Sequence, residues 1–86
     1  MKKLDPTPFG LNSRTDLQQV DERTIAIVKK IKSRIIRKDA EKIVAMADTI
    51  QEKEPGQKVI LVCTSNICSK SKALLKEKNI DIQIEE

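Results

Sequence analysis

The feature that most restricts this chain is the run Lys58 to Lys72, KVILVCTSNICSKSK, where an unbroken apolar block passes through polar turn residues into a helix-forming segment. Five consecutive apolar residues, Val59 to Cys63, bounded by Gly56 and by Thr64 to Asn66, specify a short strand buried on both faces. Such strands lie inside a sheet. A strand that ends in a polar turn opening a helix presents backbone N–H groups at its carboxyl end, where anions bind in α/β folds. Thr64, Ser65, Asn66 and Ser69 are therefore the candidate anion-binding loop. Cys63 reads first as a small apolar residue closing a buried strand. The alternative makes Cys63 a nucleophile, its thiolate favoured by the helix N-terminus and by Lys70 and Lys72, with Cys68 as a resolving partner.

Downstream, Ser69 or Ser71 caps a short helix holding Ala73, Leu74 and Leu75, and Asn79 supplies a left-handed stop. Ile80, Ile82 and Ile84 then alternate with Asp81 and Gln83, the pattern of a strand with one polar face. Lys58 to Ile84 thus reads as a β-α-β unit with parallel strands. Two strands do not make a stable sheet. A third is expected from the amino-terminal arm, from a second copy of the chain or from a partner.

Upstream, residues 1–12 contain Pro6, Pro8 and Gly10 and read as an extended or flexible arm, with a short strand anchored by Leu4 and Phe9 as the alternative. The folded domain is then 13–86. Ser13 and Thr15 offer N-caps, and Thr15 with Gln18 has capping-box spacing. From there Leu17, Val20, Val28, Ile31 and Ile35 fall on one stripe at helical period, while Arg23, Lys30, Arg34 and Arg37 gather on another side. Those four are the candidate nucleic-acid-binding residues, within a run from Lys29 to Lys38 that carries six positive charges and no acid. The plainer reading of the run is a solvated helix face. Asp39 restarts the pattern, and Ala40, Ile43, Val44, Ala47 and Ile50 form a second helix that Pro55 and Gly56 stop. A single helix from Asp16 to Lys53 is the alternative; at roughly 57 Å it would demand dimerisation. The expected fold is a small α/β domain in the order helix, helix, strand, helix, strand.

Composition narrows the functions. Eighty-six residues form one small domain with a thin core, and 17 Lys and Arg against 13 Asp and Glu give a net charge of +4. Phe9 is the only aromatic residue, and Trp, Tyr and His are absent, which excludes base-stacking platforms, aromatic cages and imidazole chemistry. Two cysteines, no signal-peptide pattern and no apolar run near 18 residues point to a reducing cytoplasm and away from a membrane. No cofactor or metal is expected, since two cysteines without histidine do not complete a zinc site.

Val59 to Ser71, VILVCTSNICSKS, resembles the phosphate loop of low-molecular-weight protein tyrosine phosphatases, whose pattern is a hydrophobic strand, Cys, a Gly-Asn step, a second Cys and Arg-Ser. Cys63, Asn66, Ile67 and Cys68 stand at that family's nucleophile, loop asparagine, apolar residue and second cysteine. Ser69 takes the place of the phosphate-binding arginine, and Ser65 that of the glycine. The same residues are similar to the phosphocysteine loop of sugar-phosphotransferase IIB subunits, where a cysteine at a strand end accepts a phosphoryl group. Both resemblances imply a cysteine phosphate-loop enzyme, active or degenerate. Asp39 to Asn66 is also similar to the second half of PIN-like nucleases, where one acid opens a helix and another follows the next strand. Asn66 occupies the last acid's place and Asp5 imitates the first; one acid with an amide is poor ligation for Mg²⁺. The missing arginine and histidine favour a non-catalytic basic interaction module. It would complete its sheet as a homo-oligomer or on a larger protein partner, with nucleic acid as a candidate ligand.

Overall fold

The computed structural model describes residues 2–31 and 33–85. Its elements are β1 (Lys2–Leu4), a 3₁₀ turn (Thr7–Phe9), β2 (Leu17–Asp21), β3 (Thr24–Lys29), α1 (Arg37–Lys53), β4 (Lys58–Cys63), α2 (Ser69–Glu77) and β5 (Asp81–Ile84). Three strands precede the first helix, which corrects the expected order helix, helix, strand, helix, strand. The segment read as the first helix is the β2–β3 hairpin, and the single helix from Asp16 to Lys53 is excluded with it. The reason lies in Ile25-Ala26-Ile27. All three are buried, so the backbone needs interior on two opposite sides, which a strand of period two provides and a surface helix does not. The helical stripe was a coincidence of spacing: Leu17 and Val28 lie on opposite sheet faces, and Val20 is exposed.

Glu22 and Arg23 join β2 to β3. Asp21 closes the turn by accepting the Arg23 N–H on Oδ1 at 2.9 Å, which holds its carboxyl below the usual aspartate range. The register shifts between Gln19 and Asp21, and this bulge adds twist to the hairpin.

The sheet has five strands in the order β1-β2-β3-β4-β5. The first two pairings are antiparallel and the last two parallel. The arm residues thus supply β1, and Leu4, Phe9 and Leu11 pack against the core. Its sheet needs no strand from outside the chain.

Both helices cover one face. In α1, Ala40, Ile43, Ala47 and Ile50 recur at three- and four-residue spacing and are buried against Leu17, Ile25, Ile27, Val59 and Leu61. Leu75 brings α2 onto the same cluster. Among the described residues, the apolar cluster of the other face is the smaller one of Ala26, Ile60 and Val62 with Val28, and the Lys58–Asp81 ion pair flanks it. Each fully buried Leu or Ile contributes about 1.5–3 kcal/mol, so the helix-covered face carries most of the stability. No helix among the described residues is long and apolar enough to cross a membrane.

Candidate nucleic-acid interface

Parallel pairing of β3 with β4 brings two loops to one edge of the sheet, because Lys29 is in register with Cys63 where both strands end. The first loop runs to Arg37 and the second to Ser69. They are laced together: the Ile35 N–H donates to the Asn66 carbonyl at 2.9 Å, and the Cys68 N–H donates to the Ile35 carbonyl at 3.0 Å. Ile35 and Ile67 are buried beneath this bridge. The carboxyl edge therefore presents its charged side chains from a fixed base.

A third segment reaches the same edge. The Val28 N–H donates to the Asp16 carbonyl at 2.9 Å, which ties the chain before β2 to the end of β3. Asn12 shapes that chain through its side-chain oxygen, which accepts the Arg14 N–H at 2.9 Å, and its carbonyl, which accepts the Thr15 N–H at 2.9 Å. Between these elements lies a cleft of about 290 Å³ whose lining includes Arg14, Asp16, Val28, Lys29, Lys30 and Met46. The Lys30 ammonium pairs with Glu85 at 2.9 Å, across the end of β4. That pairing, with a smaller share from Gln83, holds the Glu85 carboxyl below the usual glutamate range.

Of the four cations expected to act together, three share this edge. Lys30 lines the cleft. Arg34 lies in the laced loop, and Arg37 opens α1 with its guanidinium 3.6 Å from Glu41 and largely exposed. Arg23 sits in the β2–β3 turn at the opposite end of β3, about 20 Å away for a six-residue strand. The expectation that all four share one helix face falls with the helix itself. Arg14 and Lys29 were missed, because only the hairpin folds the residues before β2 against the end of β3. The signal was the unbroken apolar run Ile25 to Val28, which suits a strand buried on both faces.

The cysteine loop uses its polar groups internally. Thr64 Oγ1 accepts the Asn66 N–H at 3.3 Å, the Ser65 carbonyl accepts the Ile67 N–H at 2.9 Å, and the Asn66 carbonyl accepts from Ile35. Ser69 is exposed at the first position of α2. Cys63 is fully buried in the main cluster, and burial pushes its thiol up against a smaller opposing effect of Lys72. Cys68 is the N-cap of α2 and is partly exposed. Its Sγ lies 3.0 Å from Ser71 Oγ and accepts the Ser71 N–H at 3.4 Å. Those two contacts, then the Lys70 N–H and the Arg34 charge, bring the Cys68 thiol down. Ser71, also missed, is fully buried and donates its hydroxyl to the Ile35 carbonyl at 3.1 Å. It pins the two loops from below. Asp5 Oδ1 accepts the Thr7 N–H at 3.0 Å and the Thr7 hydroxyl at 2.8 Å, and Asp5 lies outside the cleft lining.

Among the described residues, no three His, Cys, Asp or Glu side chains gather closely enough to hold a metal ion. The cleft lining offers a single carboxylate, Asp16, beside the Asn12 amide.

Neither a family model nor a curated protein sequence matches this chain. Among solved structures it is similar to EndoMS in apo form, with a TM-score of 0.64 and 20% identity over 83% of this chain. The likeness is one of fold. This chain spans 33% of that protein's chain, about a third of its length.

Proposed function

We propose that this domain is a non-catalytic nucleic-acid-binding module whose contact surface is the carboxyl edge of β3 and β4. The observation that carries the reading is the convergence of Arg14, Lys29 and Lys30 around one cleft, with Arg34 and Arg37 on the loop and helix start that follow β3 at the same edge. Phosphate recognition needs cations held at fixed spacing, and the Ile35–Ile67 lacing supplies that base. The absence of aromatic side chains near the cleft fits backbone contact rather than base stacking. One carboxylate with an amide suits binding better than metal-assisted hydrolysis, which draws on several clustered carboxylates. The unpaired cysteines suit a cytoplasmic setting.

The test is titration of a labelled oligonucleotide at several salt concentrations. Each phosphate contact contributes about 0.7 to 0.9 to the slope of log affinity against log salt. Arg34→Gln with Arg37→Gln flattens that slope, whereas Arg23→Gln, at the far pole, leaves it unchanged. No binding at low salt, or equal effects of the two changes, sinks the reading.

A further inference from the structure

The two edges of the sheet are protected unequally. β1 is three residues long and carries Lys2 and Lys3, the short, charged kind of edge that resists pairing. β5 ends the sheet on the other side, where Ile82 is half-buried and Ile84 is 43% exposed. The Glu85 N–H donates to the Cys63 carbonyl, so by strand alternation Gln83 also faces β4, and Ile82 and Ile84 turn their N–H and C=O groups outward. Beside this open ladder, between α2 and β5, lies a mainly apolar groove of about 390 Å³ lined by Lys72, Ala73, Lys76, Ile80, Asp81 and Ile82. Asp81 is engaged by Lys58. Lys72 and Lys76 have no ion-pair partner within 4.0 Å among the described residues.

We infer that β5 accepts an extended acidic segment of a partner protein as a sixth strand, its apolar side chains entering the α2–β5 groove and its carboxylates meeting Lys72 and Lys76. Backbone pairing supplies affinity and alternate side chains supply selectivity, as in other cases of strand addition. Charge decides the occupant. A second copy paired through β5 would bring two α2 helices side by side and set Lys72 and Lys76 against the same lysines, whereas an acidic strand neutralises them.

The experiment uses the full chain and a synthetic peptide of repeated Val-Thr-Glu-Thr units, which puts valine and glutamate on the one strand face that meets the groove, with a Val-Thr-Lys-Thr peptide as control. Amide hydrogen exchange reports the outward N–H groups directly. The glutamate peptide should protect the Ile82 and Ile84 amides while the lysine peptide does not. Lys72→Glu with Lys76→Glu should weaken binding by about fivefold at low ionic strength. Ile84→Pro removes an outward donor while sparing the bonds to β4, and should abolish binding in a chain that still folds. Equal protection by both peptides, or none by either, overturns the inference. So does sedimentation showing a dimer in which these amides are protected without peptide, since the occupant is then a second copy.

Discussion

At the residue scale, the two cysteines differ through their neighbours. Cys63 has no exposed surface and a raised thiol pKa, whereas Cys68 is partly exposed and its ionised form is favoured by Ser71. Cys68 should therefore label with a thiol reagent at neutral pH in the native protein while Cys63 stays protected, as mass spectrometry of the modified peptides would show. Ser71 has one hydroxyl proton for two neighbours, the Ile35 carbonyl and Cys68 Sγ. With the thiol protonated, S–H donates to Oγ and the hydroxyl serves Ile35; with the thiolate formed, the hydroxyl can turn to the sulfur. Ser71→Ala should slow Cys68 labelling and cost about 1 kcal/mol, since the Ile35 carbonyl keeps the Cys68 N–H. Faster labelling of Cys63 than of Cys68 would overturn the assignment. Asn79 has φ 61°, the left-handed stop expected after α2. Asn79→Val should cost about 1–2 kcal/mol and Asn79→Gly little, as denaturant midpoints would report.

At the element scale, β3 is the strand on which the sheet turns from antiparallel to parallel, and it is bonded on both sides. Ala26→Pro removes a ladder donor there and leaves its acceptor unpaired in a buried sheet, which should destabilise by about 1–3 kcal/mol and lower the midpoint of thermal denaturation. A cooperative melt unchanged by that substitution would contradict the central placement. How legible the fold was from sequence depended on how each element announces itself. The run Val59 to Cys63 is an uninterrupted apolar block, and Ile80, Ile82 and Ile84 alternate cleanly, so the β4-α2-β5 unit could be read directly. The hairpin could not. Two-residue hairpin loops are recognised by Asn-Gly or Asp-Gly, which demand positive φ, but the connection here is Glu22-Arg23, and neither residue has positive φ. The start of α1 was similarly unmarked: its N-cap is Ile36, which has no side-chain acceptor, and the Asp39 carboxylate reaches back to the Ile36 N–H at 3.1 Å instead. The candidate site inherited both errors. Lys30, Arg34 and Arg37 were named from a shared face of the expected helix within a dense charge run, whereas Arg14 and Lys29 depend on pairing between distant segments.

At the scale of the whole molecule, the radius of gyration is 11.9 Å, close to the roughly 12 Å expected of a compact chain of this length. The candidate interface lies at one end of the strands and Arg23 at the other. Glu85 ties the carboxyl end of the sheet together, because it holds Lys30 over the end of β4. Its folded pKa lies below the ordinary glutamate value near 4.5. A depressed carboxyl contributes stability that is fully present above the unfolded pKa and is lost as pH falls through the folded one. Wild-type stability should therefore decline as the solution is acidified below about pH 4.5, and Glu85→Gln should flatten that part of the profile in denaturant unfolding at a series of pH values. The same substitution releases Lys30 at neutral pH. If the carboxyl edge contacts a phosphate backbone, an unpaired Lys30 adds a contact, and the salt slope for oligonucleotide binding should steepen by about 0.7 to 0.9 while low-salt affinity rises. The two readouts separate the roles: a flattened acid profile with an unchanged salt slope keeps Glu85 as a structural partner of Lys30 and removes Lys30 from the interface.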